Sequence, residues 1–201
     1  LKRQTRHDPA DDLVASAVQD EALRVLYQRP GFLIRRAHQI TSSLFWEESK
    51  TLGITSTQCG ALYVLNAFSQ LDQISLAKLV GFDRSTTAMV LKKLEGDGLV
   101  MRRPDAHDRR RKMLEITPRG RAVLAEMGAP MQRAQARTLE IFTVDERETL
   151  LRLLGKLVRA FNENSRSPLL PAGTVRAPAQ SDAKRRSGKL RYPRAISSKE
   201  L

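Results

Sequence analysis

The stretch from Ser75 to Gly120 reads SLAKLVGFDRSTTAMVLKKLEGDGLVMRRPDAHDRRRKMLEITPRG, and few folds can accommodate it. A short apolar run, LAKLV, stops at Gly81. A longer amphipathic run follows Asp83 and stops at Gly96 and Gly98. Leu99 to Arg103 and Arg111 to Ile116 then read as two strands joined by a polar loop from Pro104 to Arg109. The stretch therefore predicts a helix, a tight turn, a second helix and a β-hairpin. Ser75 is expected to cap the first helix and Asp83 the second, because short polar side chains accept hydrogen bonds from the orphan N–H groups of a helix start.

The second helix sorts its side chains by face. Thr87, Val90, Leu91 and Leu94 recur at helical spacing and form the side expected to be buried. Arg84, Ser85, Thr86, Ala88, Met89 and Lys92 fall on the other side. Small and polar residues outside, with apolar ones behind, are what a helix entering the major groove of DNA requires. Arg84 suits guanine O6/N7 or a phosphate. Ser85 and Thr86 suit bases or phosphates near the helix N-terminus, where the dipole favours an anion. Ala88 or Met89 suits a thymine methyl.

The hairpin carries Arg102, Arg103, Arg109, Arg110, Arg111 and Lys112, opposed only by Asp105 and Asp108. Such a tip can follow the phosphate backbone and place an arginine in the minor groove. Asp108 is expected to pair with a neighbouring arginine and stiffen the hairpin. The candidate DNA-contacting residues are thus Ser75, Arg84, Ser85, Thr86, Ala88, Met89, Lys92, Arg102, Arg109, Arg110 and Arg111.

Charge supports the same partner. The chain has 201 residues and a formal net charge of +13, which favours a polyanion. About half of that excess lies beyond Ser165, where nine Lys/Arg face two Asp/Glu among several prolines. No apolar period persists there, so residues 165–201 are expected to form a disordered basic tail. Two readings of the tail stay open: added phosphate contact through counterion release, or an extension without a role in binding.

The rest of the chain is mainly helical in pattern. Residues 1–29 read as an N-terminal arm with a short helix from Leu13 to Leu26. Pro30 suits the first turn of a helix running to about Lys50, on which Leu33, Ala37, Ile40 and Leu44 form an apolar stripe. Thr55 or Ser56 starts a helix ending near Phe68, and residues 69–74 are expected to be a connector with one β-bridge residue at Ile74. Thr117-Pro118 opens a long helix that reaches about Phe142, with a bend near Gly128-Ala129-Pro130. Thr143, with Glu146 three residues on, caps a last helix to about Glu163. The fold class is mainly α with a small β-wing: a winged helix-turn-helix at 55–117 and helical segments at 30–54 and 118–163.

Other classes find little support. One cysteine excludes an internal disulfide and a cysteine-based zinc cluster. No Gly-rich phosphate loop, metal-spaced His/Cys set or catalytic triad is present, so no enzymatic activity and no cofactor are expected. No apolar run is long enough to cross a membrane, and the N-terminus lacks a signal-peptide core. A cytoplasmic location with no membrane partner follows as the expectation. An architectural DNA-binding protein without a ligand is the alternative reading.

DRSTTAMVLKKLEGDGLVMRRPDAHDRRRKMLEITPRG resembles the recognition helix, wing and following helix start of the MarR family of bacterial transcription regulators. The family's D-x-x-D-R-R wing pattern matches Asp105 to Arg110. Its L-T-P-x-G run matches Ile116 to Gly120, with Ile for Leu. The likeness covers about Pro30 to Phe161. It implies an obligate homodimer formed by the terminal helices (30–54 and 118–163) and a small-molecule pocket between domains. Wide apolar faces on those helices give dimerisation a physical reason of their own, since one winged helix cannot cover them. Two recognition helices one DNA turn apart would then read a pseudo-palindromic operator.

The segment from Arg29 to Gln39 (RPGFLIRRAHQ) is similar to that of a subgroup responding to aromatic carboxylates or their CoA thioesters. On that resemblance Arg35 or Arg36 would hold a carboxylate or phosphate, Phe45 or Trp46 would stack on a ring, and His38 would orient a phenol. Each also has a structural reading: solvated arginines, core aromatics and a polar edge histidine. Cys59 stands where the family's Thr-x-x-Gln-aromatic segment has an aromatic. A redox-sensing repressor is a further alternative, although no adjacent Lys, Arg or His lowers the thiol pKa.

Overall fold

A computed structural model describes residues 20–68, 70–105, 108 and 110–170. The chain divides into two compact units, Leu1–Ser43 and Leu44–Leu201.

In the first unit, residues 20–27 form helix α1 and Pro30 opens α2 (Pro30–Ser49). The Arg29 N–H donates to the Leu26 carbonyl at 3.1 Å, and the Leu33 N–H donates to the Arg29 carbonyl at 3.0 Å, so Arg29 closes one helix and starts the next. Pro30, lacking an N–H, sits at the first helical position, where none is needed. Tyr27 and Phe32 bracket the junction with ring centroids 5.1 Å apart. Residues 13–19 of the expected leading helix lie outside the described residues. The apolar stripe on α2 forms at the expected spacing, yet Leu33 and Ile40 stay about half exposed in the single chain.

The second unit contains α3 (Ser56–Ala67), β1 (Leu71–Asp72), α4 (Gln73–Val80), α5 (Arg84–Gly96), β2 (Val100–Pro104), β3 (Lys112–Ile116), α6 (Pro118–Glu126), α7 (Gly128–Leu139) and α8 (Val144–Ala160). The sheet order is β1-β3-β2, antiparallel throughout, with Leu71 opposite Leu114 and Val100 opposite Ile116. β1 corrects the expected connector at 69–74, because the bridging residues are Leu71 and Asp72 and not Ile74, which lies in α4. Two residues show too little alternation to be read as a strand, and only their pairing with Leu114 and Met113 of β3 makes them one.

Leu62, Leu65, Leu76, Leu91, Leu94 and Leu114 are buried to below 2% exposure and come from α3, α4, α5 and β3. Full burial of one such side chain is worth roughly 2 kcal/mol, so this cluster locks the two helices of the helix-turn-helix against the sheet. Thr87, Val90, Leu91 and Leu94 are the buried residues of α5, as the spacing predicted. The Thr87 hydroxyl donates to the Asp83 carbonyl at 2.7 Å, which satisfies its buried polar atom.

The expected long helix from Pro118 is two helices. α6 ends at Glu126, Met127 is the turn between them, and α7 begins at Gly128. Pro130 cannot donate to the Glu126 carbonyl, so the break falls one turn before the proline. The Thr143/Glu146 capping box forms as expected at the start of α8. No residue of α8 is buried, and Leu151, Leu153, Leu154, Leu157, Val158 and Phe161 all remain exposed. The end of α2 is tied to α7 by Glu48, which lies 2.6 Å from Arg133 and 3.1 Å from Arg137. The hydrogen bond from Arg133 holds the Glu48 carboxyl below its ordinary pKa.

Six residues of the segment expected to be a tail, 165–170, are ordered within the second unit. Residues 165–170 are described and fold back onto the end of α4, where the Leu170 N–H donates to the Lys78 carbonyl at 3.1 Å. Residues 171–201 lie outside the described residues.

Candidate nucleic-acid interface

The first helix of the pair, α4, is capped by Asp72 and not by Ser75. The Asp72 carboxylate accepts the Ser75 N–H at 2.8 Å. Ser75 therefore stands in the first turn, half-buried, one helical turn later than the cap position expected for it. α4 ends at Gly81, whose φ of 71° is the left-handed conformation glycine adopts without strain. The Phe82 N–H then donates to the Ala77 carbonyl at 3.0 Å, and the chain turns into α5.

Asp83 caps α5 as predicted. Its Oδ1 accepts the Thr86 N–H at 2.7 Å and the Ser85 hydroxyl at 2.9 Å. Those bonds, the Thr86 N–H first, hold the Asp83 carboxyl below the usual carboxylate range. Arg84, Ser85, Ala88, Met89 and Lys92 are exposed and Thr86 is half-buried, so the six outer-face candidates share one surface of α5. Met89 is 68% exposed, so its side chain stands clear of the core. Arg84 and Lys92 make no ion pair among the described residues.

The wing arginines divide into held and unheld. Arg102 Nε lies 2.7 Å from Glu95 Oε1, and its guanidinium also reaches Gln73 Oε1 at 3.3 Å. Arg103 pairs with Glu115 at 3.2 Å. Arg111 pairs with Asp72 at 2.8 Å. Burial works against the Asp72 carboxylate, but the Ser75 N–H and Arg111 outweigh it and keep its pKa lowered. Arg110 is exposed at the tip without an ion pair among the described residues. Arg109, together with His107 and Ala106, lies outside the described residues.

Asp108 stiffens the tip through the backbone, and among the described residues it forms no ion pair with an arginine. Its carboxylate accepts the Arg110 N–H at 3.0 Å, and its carbonyl accepts the Arg111 N–H at 2.9 Å. A side chain that satisfies the turn from within competes well with a solvated guanidinium, because it orders fewer rotors.

The wing is seated by Thr117 and Gly120. The Thr117 hydroxyl donates to the Gly98 carbonyl at 2.8 Å and accepts the Gly120 N–H at 2.9 Å. A Cβ on Gly120 would collide with the Leu99 carbonyl oxygen and with Ile116. The Ile116-Thr117-Pro118-Arg119-Gly120 run thus joins the hairpin to α6 at van der Waals distance.

The candidate effector residues all lie on α2. In the first unit, Arg35 is exposed with its guanidinium 5.0 Å above the Phe32 ring. Arg36 donates to the Gln39 side chain at 2.9 Å, and His38 is exposed. In the second unit, Phe45 packs against the core and Trp46 is 46% exposed. Cys59 is 3% exposed, and burial pushes its thiol pKa up to about 11. A protonated, inaccessible thiol is a poor oxidant sensor.

The model of the MarR family matches residues 54–112, which run from just before α3 to the first residue of β3. A probable transcriptional regulator from Pseudomonas aeruginosa is 32% identical, with a TM-score of 0.63 over 66% of this chain and 98% of that one. The chain belongs to the MarR family. Its members are transcription regulators, and this MarR-family chain has their winged helix DNA-binding fold. It is similar to the transcriptional repressor CouR, solved bound to a 23-mer DNA duplex, at 29% identity and a TM-score of 0.61 over 66% of this chain and 94% of that one. It is also similar to BpsR of Bordetella bronchiseptica, whose DNA binding is regulated by 6-hydroxynicotinic acid. That match has 26% identity and a TM-score of 0.62 over 65% of this chain and 94% of that one. No helix among the described residues of this MarR-family protein is long and apolar enough to cross a membrane.

Two features of the interface escaped the sequence reading. One is Asp72 as the shared partner of Ser75 and Arg111. Asp72-x-x-Ser75 is a readable cap signal, but the arginine arrives from 39 residues away. The other is the Asp83 hold on the Ser85 hydroxyl, which leaves that side chain ordered before any ligand arrives.

Proposed function

We propose that this protein is a transcriptional repressor that binds a pseudo-palindromic operator as a homodimer and leaves it when a small aromatic carboxylate or aromatic acyl-CoA binds. The observation that carries the reading is the shared outer face of α5, where Arg84 and Lys92 have no ion pair among the described residues, together with a wing whose exposed tip holds Arg110. Ser75, Arg84, Ser85, Thr86, Ala88, Met89 and Lys92 supply the major-groove and adjacent phosphate contacts. Arg102, Arg109, Arg110 and Arg111 supply the backbone and minor-groove contacts.

The apolar residues left exposed on α8, and Leu33 and Ile40 on α2, support the homodimer. A second copy is the partner that would cover such faces and set two recognition helices about 34–36 Å apart. On α2, Arg35, Arg36, His38, Phe45 and Trp46 supply cations, a hydrogen-bonding edge and aromatic surface to an aromatic acid. BpsR, regulated by an aromatic carboxylic acid, supports that ligand class. The ligand acts only if it prefers the conformation that does not fit DNA.

The test is a thermal-shift screen against aromatic acids and aromatic acyl-CoA thioesters, followed by DNA release. The DNA is selected from random duplexes by the protein itself. A stabilising compound that lowers affinity for the selected duplex supports the repressor reading. Absence of sequence preference, with no stabiliser in either panel, favours an architectural role instead.

A further inference from the structure

The chain beyond α8 returns to the helix-turn-helix as a short strap. A 3-10 turn, Asn162–Asn164, follows α8, and residues 165–170 run back to the end of α4. The Asn162 side chain grips Leu169 by both backbone groups: its Nδ2 donates to the Leu169 carbonyl at 3.0 Å and its Oδ1 accepts the Leu169 N–H at 2.9 Å. An asparagine amide suits this because it carries a donor and an acceptor side by side. Pro168 and Pro171 flank the leucine pair in the sequence. A proline drives the residue before it towards extended backbone, so Leu170 favours the open form that a strap needs.

The strap lands on the helix-turn-helix. Leu170 donates its N–H to the Lys78 carbonyl at 3.1 Å. That carbonyl belongs to the last turn of α4, where carbonyls lack a donor from their own helix. The Leu169 side chain rests on Gly81, so close that a Cβ there would lie 3.1 Å from Leu169 Cδ2. Gly81 is thus both the left-handed turn that ends α4 and the seat for Leu169. It stands three positions before Arg84, the first residue of α5.

Direct packing contributes little to this join. α8 buries no residue. Between its end and the end of α4 lies an apolar cavity of about 390 Å³, lined by Val80, Leu157, Val158, Phe161 and Leu169. At its start, α8 is held by Arg147, whose Nε donates to the Leu139 and Phe142 carbonyls at 3.0 and 2.9 Å. Polar contacts therefore pin α8 near both ends, and the strap is the one that reaches the helix-turn-helix.

We propose that Asn162, through the Leu169–Leu170 strap, is a positioning residue for DNA binding: it fixes the turn of the helix-turn-helix to the end of α8 and so sets the spacing of the two recognition helices in the dimer. The proposal rests on the homodimer and operator reading above. α8 carries the apolar face assigned there to a second copy, and the strap ties the far end of that face to the turn from which α5 departs. Without the strap, the turn shifts more readily against α8. Ordering it on DNA then costs free energy, and a wrong half-site separation is rejected less sharply.

The test measures affinity for duplexes carrying the selected half-sites at the preferred separation and at separations one or two base pairs shorter or longer. Full-length wild type, Asn162→Ala, Leu170→Pro and Leu170→Ala are compared by fluorescence anisotropy. Leu170→Pro removes the N–H bonded to Lys78, whereas Leu170→Ala keeps it. Urea melts and sedimentation establish that each protein is folded and dimeric. Wild type should lose about tenfold in affinity when the separation changes by one base pair. Asn162→Ala and Leu170→Pro should bind the preferred separation several-fold more weakly and lose less than about threefold on the same change. Leu170→Ala should follow wild type.

Spacing profiles of Asn162→Ala and Leu170→Pro that run parallel to that of wild type overturn the proposal. A uniform loss that tracks stability is such a result, and it leaves the strap a stabilising role alone. A Leu170→Ala profile as flat as that of Leu170→Pro moves the effect to the side chain and overturns the backbone link. A wild type that sediments as a monomer, or binds every separation alike, defeats the homodimer and operator reading itself, a result distinct from the others.

Discussion

Arg111 on the returning side of the wing lies 2.8 Å from Asp72, the residue that caps the first helix of the helix-turn-helix. One carboxylate therefore sets both the start of α4 and the lean of the wing. Its two oxygens are divided between the roles, Oδ1 to the Ser75 N–H and Oδ2 to the guanidinium. The two parts of the proposed DNA-reading surface are thereby linked before DNA arrives.

Replacing Asp72 should separate the two roles. Asp72→Ala should cost about 1 kcal/mol through the lost cap and up to about 1 kcal/mol more through the partly exposed ion pair. Asp72→Asn should keep most of the cap and lose the pair. Because the Asp72 pKa is lowered in the fold, its stabilisation is present above the ordinary carboxylate range and is lost as pH falls through the folded pKa. Urea melts of wild type and Asp72→Asn should therefore converge below about pH 4. A constant difference down to the acid limit would contradict the assignment.

Arg84 and Arg110 should fail differently. Arg84→Ala should cost roughly 1–3 kcal/mol on the preferred duplex and relax the preference at one base position. Arg110→Ala should weaken all duplexes alike and reduce the salt slope by about 1. Anisotropy titrations on a panel of single-base variants distinguish the two patterns.

Gly120→Ala should destabilise the protein by about 1–3 kcal/mol, because the added methyl meets the Leu99 carbonyl oxygen and Ile116. Thermal denaturation checks this. Gly128→Ala, where the added methyl meets nothing within 4 Å, is the control and should be near neutral.

Leu154→Glu should convert the proposed dimer to monomer in sedimentation equilibrium while leaving the far-UV spectrum unchanged. Leu154 is already 43% exposed in the single chain, so a charge there disturbs little within one copy. A dimer of undiminished affinity would remove α8 from the interface.

Cys59 should resist thiol reagents in the folded protein and react rapidly after unfolding. Its folded pKa, about 11, lies above the ordinary value of 9.0. The stabilisation from the neutral thiol is thus complete below pH 9 and is lost as pH rises towards 11. Hydrogen peroxide should not alter DNA affinity at neutral pH, and Cys59→Ala should behave as wild type in that assay. Peroxide-driven release that Cys59→Ala abolishes would restore the redox reading.

The sequence alone determined the starts of α5, α6 and α8 and the buried side of α5. Asp83, Thr143 with Glu146, and Pro118 each act on N–H groups within a few residues of themselves, so their effect is written in adjacent letters. The two basic wing strands and the outer face of α5 were legible for the same reason, since periodicity is a local property. Tertiary structure alone decided what depends on distant partners. β1 exists because Leu71 and Asp72 meet Leu114 and Met113. Asp72 takes the cap from Ser75, and it meets Arg111 only once the wing has folded back. Leu169 finds its seat because Gly81, 88 positions earlier, exposes bare backbone where α4 ends. Such pairings are closed by long loops, and no short window of sequence carries the geometry that brings their ends together.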